Sequence, residues 1–591
     1  MNASSRFPES ATAVLEQLAL QQIRLGNLQA ATQIYRQAIR QGGATAAAYS
    51  NLAALELKGG DIQTAETLLQ EALRLAPNNA EAWLNLGTAQ HALSQYQSAA
   101  NSFRKASSLK PGLAKAYANL GNTLQAIEDF EGALEAYETA LQRQPNYPEV
   151  LSGRGIALRE LGRFHESIHS LKQALALKSD YAEALNNLGL SLQDAGRIQE
   201  AIHHFQLALK VNSSQPEIIS NLGLALMEQG QIEQAREYFQ HALRINPLYA
   251  EAHRNLAYCI NGRNDQQAEL EAAACLDQLG NKDNRFHVHF AIGKYKLDRN
   301  EDEATRWFCE GNRLREEQLK GRWQLPELSE LLKFNQRVLS NEPPGDTLDT
   351  SNTSDPKLIF IVGLPRSGST LLETILSQNQ QLADLGEVPY LTQALQHSQS
   401  LRQIRSRYLR LATAHIKETL DSQFISDKFL YNFAYCPILA KAFPDCRILH
   451  TYRNPMDNLW STFTNCFAKG NEWTYSLQDS INFYHLYRQI MSENEKLIPG
   501  RIYHINYDRL TLQPENEIPK LIEHCGFQWD EAYMHPERSY RQIHTASAVQ
   551  ARSPINTRSV GRWMHYRELL QPYADQLEQL GYSTEIMPLS S

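Results

Sequence analysis

The chain of 591 residues has little cysteine and no long apolar run. Its 7 cysteines are scattered and none forms CxxC, which argues against a disulfide framework or a zinc site. We therefore expect reduced thiols. No apolar run approaches the roughly 18 residues of a membrane span, and the N-terminal residues lack the apolar core of a signal peptide. These absences predict a cytoplasmic protein without a membrane span.

The chain also lacks an excess of positive charge. Its net charge of −8 and sequence pI of about 6.2 argue against nucleic acid as a general partner. A local basic pocket remains compatible with this balance. The length and the 42% of hydrophobic residues are sufficient for several domains, each with its own core.

The first half of the chain repeats with a period of 34 residues. The leucines of this register are Leu18, Leu52, Leu86, Leu120, Leu188, Leu222 and Leu256. A small residue follows each of them, and small residues let two helices approach closely. The pattern resembles the tetratricopeptide repeat, with seven repeats over residues 12–249 and an eighth at 250–283. We expect the array to stack into a superhelix with a concave groove.

Asparagine stands directly before the packing leucine in six repeats. These residues are Asn51, Asn85, Asn119, Asn187, Asn221 and Asn255. An amide offers two donors and an acceptor, so a row of them can hold an extended peptide backbone. The column resembles the asparagine ladder in the repeats of protein O-GlcNAc transferases, which implies a polypeptide substrate or a protein partner. The alternative is that these amides only bond neighbouring helices.

Composition divides the rest of the chain. After the array at 12–283, residues 284–340 have helical spacing and form a cap or connector. Residues 341–356 are polar and rich in Pro, Ser, Thr and Asp, which predicts a flexible linker. A further domain then occupies 357–591.

That domain begins with a buried-strand sequence, LIFIV, followed by GLPRSGST and a helical segment. Gly363 and Gly368 have the spacing of an ATP-binding loop, but Ser369 replaces its lysine and Arg366 supplies the cation. Backbone amides at a helix N-terminus bind anions. The loop therefore favours a phosphate-containing group other than the β- and γ-phosphates of ATP.

GLPRSGST resembles the 5′-phosphosulfate loop of sulfotransferases that use 3′-phosphoadenosine 5′-phosphosulfate. A second motif, RILHTYRNPMDNLWSTF, carries Arg453 and, eight residues later, Ser461. It resembles the family's element for the 3′-phosphate, and a guanidinium with a hydroxyl suits a phosphate dianion. The resemblance implies that the donor-binding residues are Pro365, Arg366, Ser367, Gly368, Ser369, Thr370, Arg453, Ser461, Tyr507 and Arg562.

Within that family, the GE of ADLGEVPYL is most similar to the protein-tyrosine sulfotransferase branch. The resemblance implies that Glu387 is the catalytic base, that Lys428 stabilises the leaving phosphate and that Ser547 assists. The alternatives are an ordinary surface carboxylate and an exposed lysine. Asn465 stands where this branch has a further arginine, so either donor affinity is lower or other groups compensate.

The predicted fold is an all-α tetratricopeptide-repeat superhelix followed by an α/β P-loop-like domain with a central parallel sheet, the sulfotransferase fold. The predicted activity is sulfuryl transfer to a hydroxyl, with protein tyrosine as the expected acceptor and no metal. Two alternatives remain: a carbohydrate or small-molecule acceptor with the repeats as a scaffold, or an inactive repeat adaptor. The sequence does not decide among these acceptors or give the oligomeric state.

Overall fold

A computed structural model describes most of the chain. The described residues are 9–259, 266–280, 282, 284–321, 323–340, 355–396, 398, 400–416, 423–467, 470–538 and 553–586. The chain divides into two compact units, Met1–Asp194 and Ala195–Ser591. The predicted linker at 341–356 lies outside the described residues except for its last two.

The first unit consists of consecutive helices joined by short turns. Its helices are α1 (Glu9–Arg24), α2 (Leu28–Gln41), α3 (Ala46–Gly59), α4 (Ile62–Leu75), α5 (Ala80–Ala92), α6 (Tyr96–Leu109), α7 (Ala114–Ala126), α8 (Phe130–Arg143), α9 (Pro148–Glu160), α10 (Phe164–Leu177) and α11 (Ala182–Asp194). Side chains cap several N-termini; Asp61, for example, accepts a hydrogen bond from the Thr64 amide at 3.2 Å. Each helix packs against the next, as the 34-residue period predicts.

The small residue after each packing leucine is required by close packing. A Cβ built on Gly87 would lie 2.7 Å from the ring of Phe103, and one on Gly121 would lie 2.5 Å from the ring of Tyr137. Both aromatic side chains are buried. A larger residue in this column would therefore push the two helices of a repeat apart.

The second unit begins with the remaining repeat helices and the helices of the predicted cap or connector. These are α12 (Ile198–Val211), α13 (Pro216–Gln229), α14 (Ile232–Ile245), α15 (Ala250–Cys259), α16 (Gln266–Leu279), α17 (Arg285–Asp298), α18 (Ala304–Gln318) and α19 (Leu328–Ser340). The packing rule continues, because a Cβ on Gly223 would lie 2.7 Å from the Phe239 ring. Helices α17 and α18 pack against each other in the same way as the repeat pairs.

A five-stranded sheet forms the core of the C-terminal region. Its strands are β1 (Lys357–Gly363), β2 (Leu382–Asp384), β3 (Phe424–Asp427), β4 (Arg447–Tyr452) and β5 (Ile502–Asn506), in the order β2-β3-β1-β4-β5. All four pairings are parallel. Strand β1 lies in the middle and is buried from its second residue onward, which explains its continuous apolar sequence.

Helices surround this sheet. They are α20 (Ser369–Leu376), α21 (Tyr390–Gln396), α22 (Leu401–His415), α23 (Cys436–Ala442), α24 (Pro455–Phe463), α25 (Leu477–Leu497), α26 (Tyr507–Leu512), α27 (Pro514–Cys525) and α28 (Arg567–Gln579). Repeat helices followed by a parallel α/β region confirm the predicted fold class. Among the helices of the described residues, none combines the length and the apolar character needed to cross a membrane.

Candidate functional site

The predicted site residues follow the carboxyl ends of the five strands. Arg366 follows β1, Glu387 follows β2, Lys428 follows β3, Arg453 follows β4 and Tyr507 follows β5. In a parallel sheet these ends share one edge, where open α/β folds bind their ligands. The topology therefore gathers residues that are up to 141 positions apart between Arg366 and Tyr507.

The loop after β1 is held tightly against its neighbours. Gly368 has φ of +101° and caps the N-terminus of α20, and a Cβ added there would collide with the ring of Tyr507. The Thr451 hydroxyl donates to the Ser367 carbonyl at 2.9 Å, and the Asn458 amide donates to the Pro365 carbonyl at 2.8 Å. Strand β4 and helix α24 thus fix the loop from two sides.

Arg366 connects the two sequence motifs directly. It has φ of +66°, an unusual conformation for a residue with a side chain. Its Nε donates to the Ser461 hydroxyl at 3.1 Å, across 95 positions of sequence. The loop arginine and the serine of the second motif are therefore in direct contact, as a ligand bound by both motifs would require.

Arg453 is buried beside this pocket, with its side chain 5% exposed. Its Nη2 donates to the Ser559 carbonyl at 2.6 Å, and its guanidinium lies 4.9 Å from the centre of the Tyr507 ring. The carboxylates of Asp457 and Asp508 approach it at 3.7 and 3.8 Å. Arg453 is therefore an ordered cation whose charge is largely balanced by two acids.

Lys428 stands between two carboxylates. Its Nζ lies 2.6 Å from Oε2 of Glu373 and 3.4 Å from Oε1 of Glu387. The Lys428 side chain is 1% exposed, which excludes the alternative of a plain surface lysine, whereas Glu387 is 46% exposed. The buried ammonium of Lys428 thus lies next to the Glu387 carboxylate, which is half exposed to solvent.

The charges of this network shift its pKa values. Burial raises the pKa of Glu373 well above the usual range, and the Asp384 carboxylate raises it further against the opposing effect of Lys428. Burial alone would lower the pKa of Lys428, but the carboxylates of Glu373, Glu387 and Asp384 outweigh it and raise that pKa. Lys428 is therefore firmly protonated at neutral pH.

Three acidic residues that the sequence analysis did not select complete the site. Glu373 pairs with Lys428, and Asp384 accepts hydrogen bonds from the Ser426 hydroxyl and the Gly386 amide, both at 3.0 Å. Asp457 accepts from the backbone amides of residues 561 and 563. The available signal was the acid of STLLETIL, a charge inside an otherwise apolar helix directly after the loop.

The remaining residues predicted to bind the donor differ in burial and in their hydrogen-bond partners. Ser367, Ser369 and Thr370 are all buried in the loop and the first turn of α20. The Tyr507 hydroxyl lies 3.0 Å from the Ser559 hydroxyl, and Arg562 donates to the Leu297 carbonyl at 3.2 Å. Ser547 lies outside the described residues.

The asparagine column is not uniform. In the first unit, Asn187 is buried, whereas Asn51, Asn85 and Asn119 are partly exposed. Asn51 donates to the Tyr35 hydroxyl at 3.0 Å and Asn119 to the Thr88 hydroxyl at 3.4 Å. In the second unit, Asn221 is partly exposed, and Asn255 is buried and donates to the Ser220 hydroxyl at 3.3 Å. Peptide binding by this column stays a prediction.

Comparison with known families agrees with this architecture. Residues 356–531 match the model of the sulfotransferase family. The chain joins tetratricopeptide repeats to a sulfotransferase-family domain. The repeat models match residues 44–112, 111–180, 147–214, 180–245 and 220–283.

Individual relatives resemble parts of the chain. An uncharacterized protein of Aquifex aeolicus is 30% identical over 244 residues, which cover 37% of this chain and 32% of the relative. The chain thus spans about a third of that protein's length. Protein-tyrosine sulfotransferase 1 of Danio rerio is 22% identical over 270 residues, covering 40% of this chain and 74% of the relative. A tetratricopeptide repeat protein structure from Parabacteroides merdae is 16% identical with a TM-score of 0.36, covering 42% of this chain and 98% of its own.

The residues of the pocket suit a phosphorylated nucleotide. The Ser367 hydroxyl is buried and has no hydrogen-bond partner among the described residues. Arg366 and Ser461 lie side by side at the carboxyl edge of the sheet, and the N-terminus of α20 lies at the end of the loop. Hydroxyls, a guanidinium and backbone amides are the groups that bind phosphate oxygens. No group of three or more His, Cys, Asp or Glu has metal-site geometry in the described part of the chain.

Proposed function

We propose that this protein transfers a sulfuryl group from 3′-phosphoadenosine 5′-phosphosulfate to the hydroxyl of a protein tyrosine. The observation that carries this proposal is the 3.1 Å hydrogen bond from Arg366 to Ser461, which brings the two phosphate motifs into one pocket. The sulfotransferase-family match over residues 356–531 supports the reaction class. The products are a sulfated acceptor and 3′-phosphoadenosine 5′-phosphate.

The donor is held at both ends. Arg366, Ser367, Ser369, Thr370 and the amides of the loop bind the 5′-phosphosulfate. Arg453 and Ser461 bind the 3′-phosphate, and Tyr507 packs beside Gly368 to limit the depth of the pocket. The donor supplies an activated sulfuryl group, and the protein supplies orientation and positive charge.

Glu387 removes the proton of the acceptor hydroxyl. It is half-exposed at the edge of the sheet, so a bulky acceptor can reach it. The acceptor oxygen then bonds to sulfur while the bond from sulfur to the phosphate oxygen breaks. Lys428 is permanently cationic and 3.4 Å from Glu387, so it stabilises negative charge on the leaving phosphate.

Two features support a protein tyrosine as the acceptor. The Danio rerio relative that matches 40% of the chain is named a protein-tyrosine sulfotransferase, and the sequence around Glu387 resembles the segment that carries the base in that branch. The repeats supply a second polypeptide-binding element, because tetratricopeptide arrays offer extended surfaces to peptides and proteins.

Transfer of labelled sulfate tests this function. The full chain, incubated with 35S-labelled donor and a library of tyrosine-containing peptides, should label the peptides at tyrosine. Matched peptides with phenylalanine at that position should stay unlabelled. Label on carbohydrate or small phenols alone, with none on any peptide, would contradict the protein acceptor.

The exposed part of the asparagine column should contribute to peptide binding. In an Asn85→Ala, Asn119→Ala double variant, we expect KM for a long peptide acceptor to rise about tenfold, because each lost amide hydrogen bond costs about 0.5–1.5 kcal/mol. Transfer to tyramine, which is too short to reach the repeats, should be unchanged. Steady-state kinetics measures KM and kcat for the long peptide and for tyramine in the variant and in the wild type.

Asn101→Ala is the matched control, because Asn101 is an exposed asparagine of α6 outside the column. Its kinetics should equal those of the wild type. An equal KM for the long peptide in the double variant and in the wild type would rule out this role for the column.

A further inference from the structure

Helices α15 and α18 of the second unit pack directly on the segment that carries Ser461. The Tyr258 hydroxyl, from α15, donates to the Thr464 carbonyl at 3.4 Å. Asn312, from α18, donates to the Phe463 carbonyl at 2.9 Å. On that segment the Thr464 hydroxyl lies 3.4 Å from the Ser461 carbonyl. Helices α15 and α18 therefore contact the chain within three residues of Ser461.

Helix α17 contacts the segment that carries Arg562. Arg562, one of the predicted nucleotide-binding residues, donates to the Leu297 carbonyl in the last turn of this helix. Asp457 holds the backbone on both sides of Arg562 through the amides of residues 561 and 563. The position of Arg562 is thus fixed jointly by α17 and by the segment after β4.

Lys294 lies on α17 one turn before Leu297, and its side chain is only 18% exposed. Its Nζ is 6.0 Å from the centre of the Tyr258 ring, which places it on the Ser461 side of the pocket. Both oxygens of Asp298 lie within 2.6 Å of Nζ. Burial lowers the pKa of Lys294 against the opposing effect of Asp298, and the positive charges of Arg562 and Arg366 lower it further. The side chains of Lys294, Arg366 and Arg562, from three separate parts of the chain, thus interact electrostatically.

The charge balance around Arg453 favours a contribution from a further cation. Arg453 is flanked by Asp457 and Asp508 at 3.7 and 3.8 Å, so this cluster carries no surplus positive charge. A 3′-phosphate is a dianion at neutral pH and needs cations that are not already neutralised by two carboxylates. Lys294 has one carboxylate partner on its own helix, and a phosphate can replace that partner.

We propose that Lys294, on helix α17 between the repeats and the sulfotransferase-family segment, is a donor-specificity residue that binds the 3′-phosphate of the nucleotide. This inference rests on the proposed function and extends the donor pocket beyond the sulfotransferase-family segment. It assigns α17 two roles, in the helical array and in the binding of the co-substrate.

Binding of two nucleotides to the full chain tests the assignment. Isothermal titration compares 3′-phosphoadenosine 5′-phosphate with adenosine 5′-phosphate, which lacks the 3′-phosphate. Lys294→Met should weaken the bisphosphate about tenfold or more, as expected for loss of a charged hydrogen bond. The affinity of the Lys294→Met variant for adenosine 5′-phosphate should equal that of the wild type.

Asp298→Asn should change the affinity for the bisphosphate in the opposite direction. Without its carboxylate partner, Lys294 is available to the ligand, so the bisphosphate should bind several-fold more tightly. A purely structural role for the Lys294–Asp298 pair would instead weaken binding in both variants. Lys296→Met is the control on the same helix, because Lys296 pairs with Glu301 and Glu303 at 2.9 and 2.8 Å. Thermal unfolding confirms that each variant is folded.

The outcomes separate this inference from the proposed function. Absence of bisphosphate binding by the wild type would overturn the proposed function itself. Wild-type binding together with an unchanged affinity in Lys294→Met, or with an equal loss for both nucleotides, would overturn only the assignment of Lys294 to the 3′-phosphate.

Discussion

Glu387→Gln should reduce sulfate transfer by about 100- to 10,000-fold, the usual contribution of a general base. The amide keeps the size of the side chain but cannot accept the proton of the acceptor hydroxyl. Affinity for 3′-phosphoadenosine 5′-phosphate should stay within about twofold, because Glu387 is half-exposed and does not belong to the phosphate loop. Single-turnover transfer to a tyrosine peptide measures the rate, and nucleotide titration measures the affinity.

Glu515→Gln is the matched control for this result, because Glu515 is an exposed glutamate of α27 in the same region. It should transfer sulfate at the wild-type rate. Full activity of Glu387→Gln would exclude Glu387 as the base and leave the alternative of an ordinary surface carboxylate.

Lys428→Met should lower both the rate of sulfate transfer and the free energy of unfolding. Loss of the cation should lower transfer by about 100- to 1,000-fold, as for removal of one electrostatic stabiliser. It also leaves Glu373 buried without its 2.6 Å partner, which costs about 3–5 kcal/mol in free energy of unfolding. Chemical denaturation and transfer kinetics measure the two effects separately.

A second substitution distinguishes catalysis from folding. The double variant Lys428→Met, Glu373→Gln removes both charges, so most of the lost stability should return while activity stays low. Lys441→Met, on the exposed face of α23, is the control and should alter neither property. Recovery of transfer in the double variant would show that Lys428 acts only through the fold.

Much of the fold was predictable because its signals are local. The 34-residue period sets helix pairs whose small residues face aromatic rings, as Gly87 faces Phe103. The apolar run before GLPRSGST has the length and burial of a central parallel strand, β1. Parallel topology then brings the residue after each strand to one edge, which is why five predicted site residues share that edge.

The rest of the site depends on contacts between distant parts of the chain. Glu373 stands in an apolar helix, and nothing in its neighbours along the sequence indicates Lys428, which lies 55 positions away, as its partner. Lys294 reaches the pocket only because α17 packs on Arg562. The asparagine column looked uniform, yet stacking buried Asn187 and Asn255 while leaving Asn85 partly exposed. Periodicity sets which face of a helix a residue occupies but not how closely the next helix covers it.

The most direct test of the proposed function is titration of the full chain with 3′-phosphoadenosine 5′-phosphate and adenosine 5′-phosphate. We expect one site that binds the bisphosphate about 100-fold more tightly, because a phosphate dianion makes more than one charged hydrogen bond. Arg366→Met should weaken both nucleotides, whereas Ser461→Ala should weaken only the bisphosphate. Equal affinities for the two nucleotides, or a bisphosphate affinity that neither variant changes, would contradict a single pocket shared by the two phosphate motifs.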